Sequence, residues 1–151
     1  MIIENIEDFP QFEAQNVFQT KEWMHLFEKE DDTKVVIFAV YANAQLDAIR
    51  NMENPQLLLL QPVTIQRFVK WLPWRVGAHA VAWHEPWKAK NITDKEAQQL
   101  FEVLQKAINQ YCRRKAIYIE YRHLSENNIY HLIFNAQRSI LKLPWFNIYQ
   151  K

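Results

Sequence analysis

Glycine is almost absent from this chain: Gly77 is the single glycine among 151 residues. Loops that cradle nucleotide or coenzyme phosphates need several glycines, because backbone N–H groups must approach the phosphate where a Cβ would block them. The sequence therefore predicts that the chain holds no such phosphate in a glycine-rich loop. It also predicts that the chain is not a complete acyl-donor enzyme alone.

Cysteine and long apolar runs are scarce as well. Cys112 is the single cysteine, so an internal disulfide cannot form and a reducing compartment is expected. It lies within a predicted helix, without a Cys-His motif, and a structural role is expected. The acidic N-terminus lacks the basic and apolar parts of a signal peptide, and no apolar run is long enough to cross a bilayer. These features predict a cytoplasmic protein without a transmembrane segment.

Neither sign of charge is in excess, since the formal net charge is +1. Binding to nucleic acid or to an anionic membrane would therefore need a local patch of cations. The hydrophobic fraction of 49% is high enough to fill a core, which excludes a disordered chain. A chain of this length suits one domain, here residues 1–151.

The hydrophobic pattern predicts several strands. The β-branched and aromatic segment Lys34–Ala42 is typical of a buried strand. Pro62 in the strand over 56–65 indicates an edge or a bulge. The other expected elements are a turn at 42–44, a return strand over 45–53, strands over 116–121 and 143–149, and a short helix over 128–135.

Two further helices have clear start signals. Thr20 is expected to cap a helix that the acidic run 28–32 ends. Thr93 and Glu96 fit a capping box at the start of a helix over 94–114. The predicted apolar stripe of this long helix contains Leu100, Val103, Leu104, Ala107, Ile108 and Tyr111. Strands around one long helix indicate an α+β layered domain.

Two groups of side chains suggest binding chemistry without specifying it. His79, His84 and Glu85 lie close in sequence but lack the spacing of a zinc-binding helix, and no metal site is predicted. Segment 66–75 interleaves cations with aromatics, which suits single-stranded nucleic acid but equally a solvated face of an ordinary strand. The cations are Arg67, Lys70 and Arg75, and the aromatics are Phe68, Trp71 and Trp74.

A concentration of tryptophans permits a ligand pocket. Trp71, Trp74, Trp83 and Trp87 lie around prolines within a short stretch. Exposed indoles in a groove often contact partners or ligands. A small hydrophobic core beneath an irregular loop is the alternative interpretation.

The order of motifs resembles a known family. The segments in question are Val17–Thr20, Glu22–Trp23, Tyr41–Leu46, Ala82–Pro86, Ile117–Arg122 and Trp145–Tyr149, with the capped helix before the last two. This series resembles the N-terminal half of the Fem-type (FemAB-like) branch of the GNAT acyltransferase superfamily, which includes aminoacyltransferases that build peptidoglycan bridges. The resemblance covers the chain from about Val17 onward.

The resemblance implies a GNAT-like mixed, mostly antiparallel sheet flanked by helices. It implies an acyl- or aminoacyltransferase-like function in which this domain contributes an acceptor-side surface, with a peptidoglycan precursor as the acceptor. The partner would be a second GNAT-like domain or a second copy in a homodimer. Acyl-CoA or aminoacyl-tRNA would serve as donor only with that second domain, and no cofactor is expected on this domain alone.

The resemblance also implies site residues. Gln19 and Trp23 would line the substrate-side helix, and His84, Glu85 and Arg122 would face the cleft; none of these five is assigned a catalytic role. Arg122 could instead pair with Glu85 or Glu120.

The chain departs from the family at three places. Ala44 and the pair His84–Glu85 stand where relatives usually carry glycines, and Phe27 stands where many carry a lysine. These departures leave open an alternative, a non-catalytic binding or assembly module that kept the fold. Nucleic-acid binding through residues 66–75 is the least favoured function.

Overall fold

The computed structural model describes residues 1–42 and 56–122. The strands expected over 45–53 and 143–149 and the helix expected over 128–135 lie outside these ranges, as do residues 43 and 44 of the expected turn. The described elements are β1 (Ile2–Ile3), α1 (Lys21–Glu28), β2 (Thr33–Tyr41), β3 (Leu57–Arg67), α2 (Trp74–Gly77), β4 (Ala78–Ala82), β5 (Trp87–Lys88), α3 (Asp94–Cys112) and β6 (Ile119–Tyr121).

The strands form one mixed sheet in the order β1-β2-β3-β4-β6, with β5 on β3. Neighbouring strands are antiparallel except β4 and β6, which are parallel. Helix α3 lies between β4 and β6 in the chain and makes the crossover that a parallel pair requires. The predicted α+β class, a mostly antiparallel sheet flanked by helices, is confirmed.

Apolar side chains cover both faces of the sheet. Val36 and Phe38 of β2 pack in the cluster that contains α3. The alternate residues Ile37 and Ala39 pack on the opposite face, with Met24 of α1. Because β2 is buried on both sides, its sequence is continuously apolar instead of alternating.

Helix α3 begins as predicted, but its buried face differs from the predicted stripe. The Thr93 side chain accepts from the Glu96 backbone N–H at 3.3 Å, and the Glu96 carboxylate accepts from the Thr93 backbone N–H at 2.8 Å, so the capping box is confirmed. Val103, placed in the stripe, is 60% exposed. The buried side chains of α3 are Ala97, Phe101, Leu104, Gln105, Ile108 and Cys112.

Pro62 lies in a central strand and in continuous register with β2, so its predicted position at an edge or a bulge is wrong. Strand β3 pairs with β2 along its length, with Pro62 opposite Ile37. On its other side β3 pairs with β5 at Leu59 and Leu60 and with β4 from Thr64 onward. Pro62 therefore lies between these two ladders, where its missing N–H interrupts neither.

The single glycine has a packing role. A Cβ at Gly77 would lie 2.8 Å from the Val69 carbonyl oxygen and 2.9 Å from the Leu72 Cβ. Gly77 also accepts hydrogen bonds from the backbone N–H groups of Phe68 and Val69. It therefore lets the loop between β3 and β4 fold tightly against itself.

Candidate functional site

A shallow depression lies where the loop after β4 meets the segment that leads into α1. Its volume is about 180 Å³ including space open to solvent, and it has no enclosed room for a water molecule. We call it the aromatic depression. Its lining residues are Phe18, Gln19, Trp23, Gln61, Pro62, Trp83, His84 and Glu85.

Gln19 connects the two segments that form the depression. Its side chain is only 2% exposed, although it follows an irregular stretch of chain. Its Nε2 donates to the Glu85 backbone oxygen at 3.4 Å, and its Oε1 accepts from the Gln15 backbone N–H at 2.9 Å. Both ends of the buried amide are thus satisfied, which fixes the distance between the two segments.

Aromatic rings form one wall. The ring centre of Trp23 lies 6.1 Å from that of Trp83, and Phe27 lies 4.5 Å from Trp23 and 5.7 Å from Trp83. These separations fall within the range in which aromatic pairs attract one another. The Trp83 indole N–H donates to the Thr64 hydroxyl at 2.8 Å, which fixes the orientation of its ring.

His84 lies in a second aromatic contact. Its ring stacks on Phe18 with 5.7 Å between the ring centres and an interplanar angle of 20°. Its Nδ1 lies 3.2 Å from the Asn16 side-chain nitrogen. With that nitrogen as donor, Nδ1 accepts, and the proton of a neutral ring lies on Nε2.

Gln61 supplies an unpaired acceptor at the depression. Its side chain is 1% exposed, and its Nε2 lies within 3.1 Å of the backbone oxygens of Pro62 and His84. Its Oε1 is buried without a hydrogen-bond partner, as is Oδ1 of Asn16. Gln61 was not predicted as a site residue. An amide in the middle of an apolar strand nevertheless requires hydrogen-bond partners, so the sequence does contain a signal for it.

Arg122 reaches the depression only through Trp83. Its guanidinium carbon lies 4.6 Å from the Trp83 ring centre. Its Nε and Nη2 each lie 2.9 Å from a carboxylate oxygen of Glu120. This hydrogen-bonded carboxylate raises the pKa of the guanidinium. The expected pairing of Arg122 with Glu120 is thus present.

The five residues expected at the site therefore come together. Gln19, Trp23, His84 and Glu85 line the depression itself, and Arg122 contacts its wall from behind. Phe18 and Trp83 complete its lining, and Asn16 contacts His84 beside it. Trp83 belongs to the tryptophans for which the sequence permitted a ligand pocket, whereas Asn16 and Phe18 were not predicted as site residues. No spacing pattern indicates these two, because their positions depend on how the segment before α1 folds across the sheet.

The N-terminus of α3 is already occupied. The Glu96 carboxylate accepts a hydrogen bond from the Thr93 backbone N–H and also lies 2.8 Å from the Thr93 hydroxyl. These bonds lower the pKa of Glu96. A carboxylate thus already occupies the helix terminus, where an anion is favoured.

Segment 66–75 carries less available charge than its sequence suggests. Asp32 accepts from Arg67 at 2.8 Å and lies 2.6 Å from the Lys70 amine. These hydrogen bonds, that to Lys70 most of all, lower the pKa of Asp32. Two of the three cations in the segment are therefore paired with a carboxylate.

Two other candidate groups have structural surroundings. Within residues 1–42 and 56–122, no three His, Cys, Asp or Glu side chains are grouped so as to hold a metal ion. Cys112 is 3% exposed in the core, and burial raises the pKa of its thiol to about 12. A thiol of this kind is a poor nucleophile at neutral pH.

No helix among the described residues is both long enough and apolar enough to cross a membrane. Comparison of the sequence with family models, with curated proteins and with solved structures found no match.

Proposed function

We propose that this chain is an acyl- or aminoacyltransferase-like domain of the GNAT/Fem type that contributes an acceptor-side surface and works with a second domain or partner. One observation carries the proposal. Four of the residues carried over from the resemblance come from two separate segments of the sequence, 19–23 and 84–85, yet they line a single depression, and the fifth, Arg122, contacts the Trp83 ring in its wall. The α+β sheet with a parallel β4–β6 pair supports the same proposal.

The chemistry of the depression suits the holding of an acceptor. The buried amide oxygen of Gln61, which lines the depression, lacks a donor, so a ligand that offers N–H or O–H groups gains more than one that offers acceptors. The ring faces of Trp23 and Trp83 favour a ligand that carries a flat or cationic group beside these N–H or O–H donors. A peptidoglycan precursor, which carries amide and amine donors, meets these requirements.

The same side chains are poorly arranged for complete catalysis. The ring of His84 uses Nδ1 toward Asn16, so Nδ1 is engaged and is not available to a substrate as a general base. The described part of the chain brings no thiol to the depression, since Cys112 lies in the core. The donor site and the chemical step are therefore assigned to the second domain or to the partner.

The test is ligand binding to the purified chain, measured by thermal shift and calorimetry. We expect a soluble peptidoglycan-precursor pentapeptide to raise the melting temperature, and acyl-CoA to leave it unchanged. Gln61→Ala should abolish the shift, whereas Gln99→Ala on the exposed face of α3 should retain it. Circular dichroism must show that both variants fold. A stabilising effect of acyl-CoA, or no effect of any precursor, would contradict the proposal.

A non-catalytic binding or assembly module is the second candidate. The observation in its favour is that the depression, as described, contains no nucleophile paired with a base. Both candidates predict ligand binding, so turnover separates them. Acyl transfer that appears when the chain is mixed with a second GNAT-like domain supports the first. Light scattering decides whether a second copy of the chain can take that place.

A further inference from the structure

Exposed apolar side chains gather at the end of the sheet opposite to the aromatic depression. The loop between β3 and β4 presents Phe68, Trp71 and Val76, which are 56%, 83% and 46% exposed. Beside it, Ile117 and Tyr118 are 52% and 43% exposed. We call these five residues the apolar edge.

Hydrogen bonds and ring contacts make the apolar edge continuous. The Ile117 backbone N–H donates to Ala78 at 2.9 Å, which brings the segment before β6 against the start of β4. The ring of His79 lies 5.9 Å from Phe68 and stacks on Tyr118 at 5.5 Å. The tight packing at Gly77 holds the loop in this shape. These contacts bring the loop that carries Phe68, Trp71 and Val76 beside the segment that carries Ile117 and Tyr118.

Cations flank the apolar edge on two sides. Arg75 lies in the loop itself, and Arg113 and Arg114 follow the last residue of α3. Among residues 1–42 and 56–122, none of these three forms an ion pair with a carboxylate. Lys34, at the start of β2, lies 4.9 Å from the Trp74 ring centre at the same end of the sheet.

We propose that the apolar edge docks on the surface of an anionic lipid bilayer. Trp71 and Phe68 would enter the interfacial region, where indole and phenyl rings are favoured. Arg75 and the cations that follow α3 would face the headgroups. This local patch supplies the positive charge that the chain, with a net charge of only +1, lacks in bulk. The proposal does not depend on the proposed acceptor function, because the depression lies at the other end of β4.

The composition of the edge favours a bilayer over nucleic acid. Val76 and Ile117 are aliphatic and offer no ring on which a base could stack. The ring of Tyr118 already stacks on the neighbouring His79. An apolar medium bordered by anions satisfies aliphatic, aromatic and cationic groups together, whereas a single strand satisfies only the last two.

Vesicle sedimentation with the full chain tests the proposal. The probes are vesicles of phosphatidylcholine alone and vesicles with equal parts of phosphatidylcholine and phosphatidylglycerol. We expect binding to the second kind only, weakened by added salt. Trp71→Ala should lower the partition coefficient about ten-fold, and Arg75→Glu should lower it by more than the roughly five-fold expected for loss of one charge.

Matched variants separate docking from nonspecific effects. Val103→Ala removes an exposed apolar side chain elsewhere. Lys95→Glu makes the same charge change as Arg75→Glu at the N-terminal end of α3, a helix about 28 Å long, whereas Arg113 and Arg114 follow its C-terminal end. Both variants should bind as the unmodified chain does. Asp32→Asn should strengthen binding roughly five-fold, because it removes the carboxylate that neutralises Arg67 and Lys70. Circular dichroism must show that this variant folds, because misfolded chains also bind vesicles through exposed apolar side chains.

Three outcomes would overturn the proposal. The first is the absence of binding to anionic vesicles. The second is an equal loss of binding in the Val103→Ala or Lys95→Glu control. The third is salt-sensitive binding to a single-stranded oligonucleotide that Trp71→Ala abolishes while vesicle binding stays unchanged, which would assign the edge to nucleic acid instead.

Discussion

The guanidinium of Arg122 lies over the face of the Trp83 ring, with 4.6 Å between its central carbon and the ring centre. Trp83 also donates to Thr64, so the ring has a fixed orientation and presents one face to the cation. This contact joins the end of β6 to the wall of the aromatic depression.

We predict that Arg122 and Trp83 are energetically coupled. At a partly exposed site a cation–π contact is worth about 0.5–1 kcal/mol, so Arg122→Ala should lower the free energy of unfolding by that amount. In a Trp83→Leu background the same change should cost close to nothing. Urea denaturation of the double-mutant cycle measures the coupling. Equal losses in both backgrounds would show that Arg122 acts through Glu120 alone.

The capping box of α3 provides a second prediction. Thr93→Ala removes the acceptor for the Glu96 backbone N–H, which lies 3.3 Å away. N-cap substitutions of this kind cost about 1 kcal/mol, so the urea midpoint should fall with an unchanged slope. Thr93→Ser, which keeps the hydroxyl, is the matched control and should retain most of the stability. A Thr93→Ala variant as stable as Thr93→Ser would contradict the role of the cap.

Elements with strong local signals were predictable from the sequence. The N-caps at Thr20 and Thr93 and the continuous apolar pattern of β2 each depend on neighbouring residues alone. The predicted buried face of α3 was wrong at Val103, because periodicity does not reveal which side of a broad apolar face meets the sheet. The position of Pro62 was predicted wrongly. A proline is tolerated there because it lies between the part of β3 that pairs with β5 and the part that pairs with β4, and no local sequence pattern reveals this gap.

The candidate site was predictable only in part. Gln19, Trp23, His84, Glu85 and Arg122 were expected together because of a resemblance, not because their spacing requires it. Gln61 was missed, although a lone amide in an apolar strand is informative by itself. Asn16 and Phe18 lie in a segment without periodicity, and their contacts with His84 arise from tertiary packing.

The single glycine yields a third prediction. Gly77→Ala places a methyl group within 3 Å of the Val69 carbonyl oxygen and of the Leu72 Cβ. Because one of these atoms is backbone, the loop must shift, and overpacking of this kind costs about 1–3 kcal/mol. Thermal unfolding should show a lower melting temperature than Val76→Ala, the neighbouring control, which removes exposed methyl groups. A melting temperature equal to that of the control would contradict the close approach.

Because its thiol is buried, Cys112 makes the free energy of unfolding vary with pH in the alkaline range. Burial raises its pKa to about 12 from an ordinary value of 9.0. The folded state therefore retains the proton where the unfolded state releases it, and stability is complete below pH 9 and falls as the pH rises above it. By pH 10 the loss due to this group should be about 1 kcal/mol.

Cys112→Ala isolates that contribution. Burial also raises the pKa values of Tyr41, Tyr111 and Tyr121, so both proteins lose stability at high pH, but the unmodified chain should lose more. The measurement is the free energy of unfolding in urea at pH 8 and at pH 10 for each protein, with reductant present. The thiol of the folded chain should also resist a disulfide reagent at pH 8 and react once urea unfolds it. The same decrease in both proteins, or rapid reaction of the folded chain, would show that Cys112 is accessible and ionises normally.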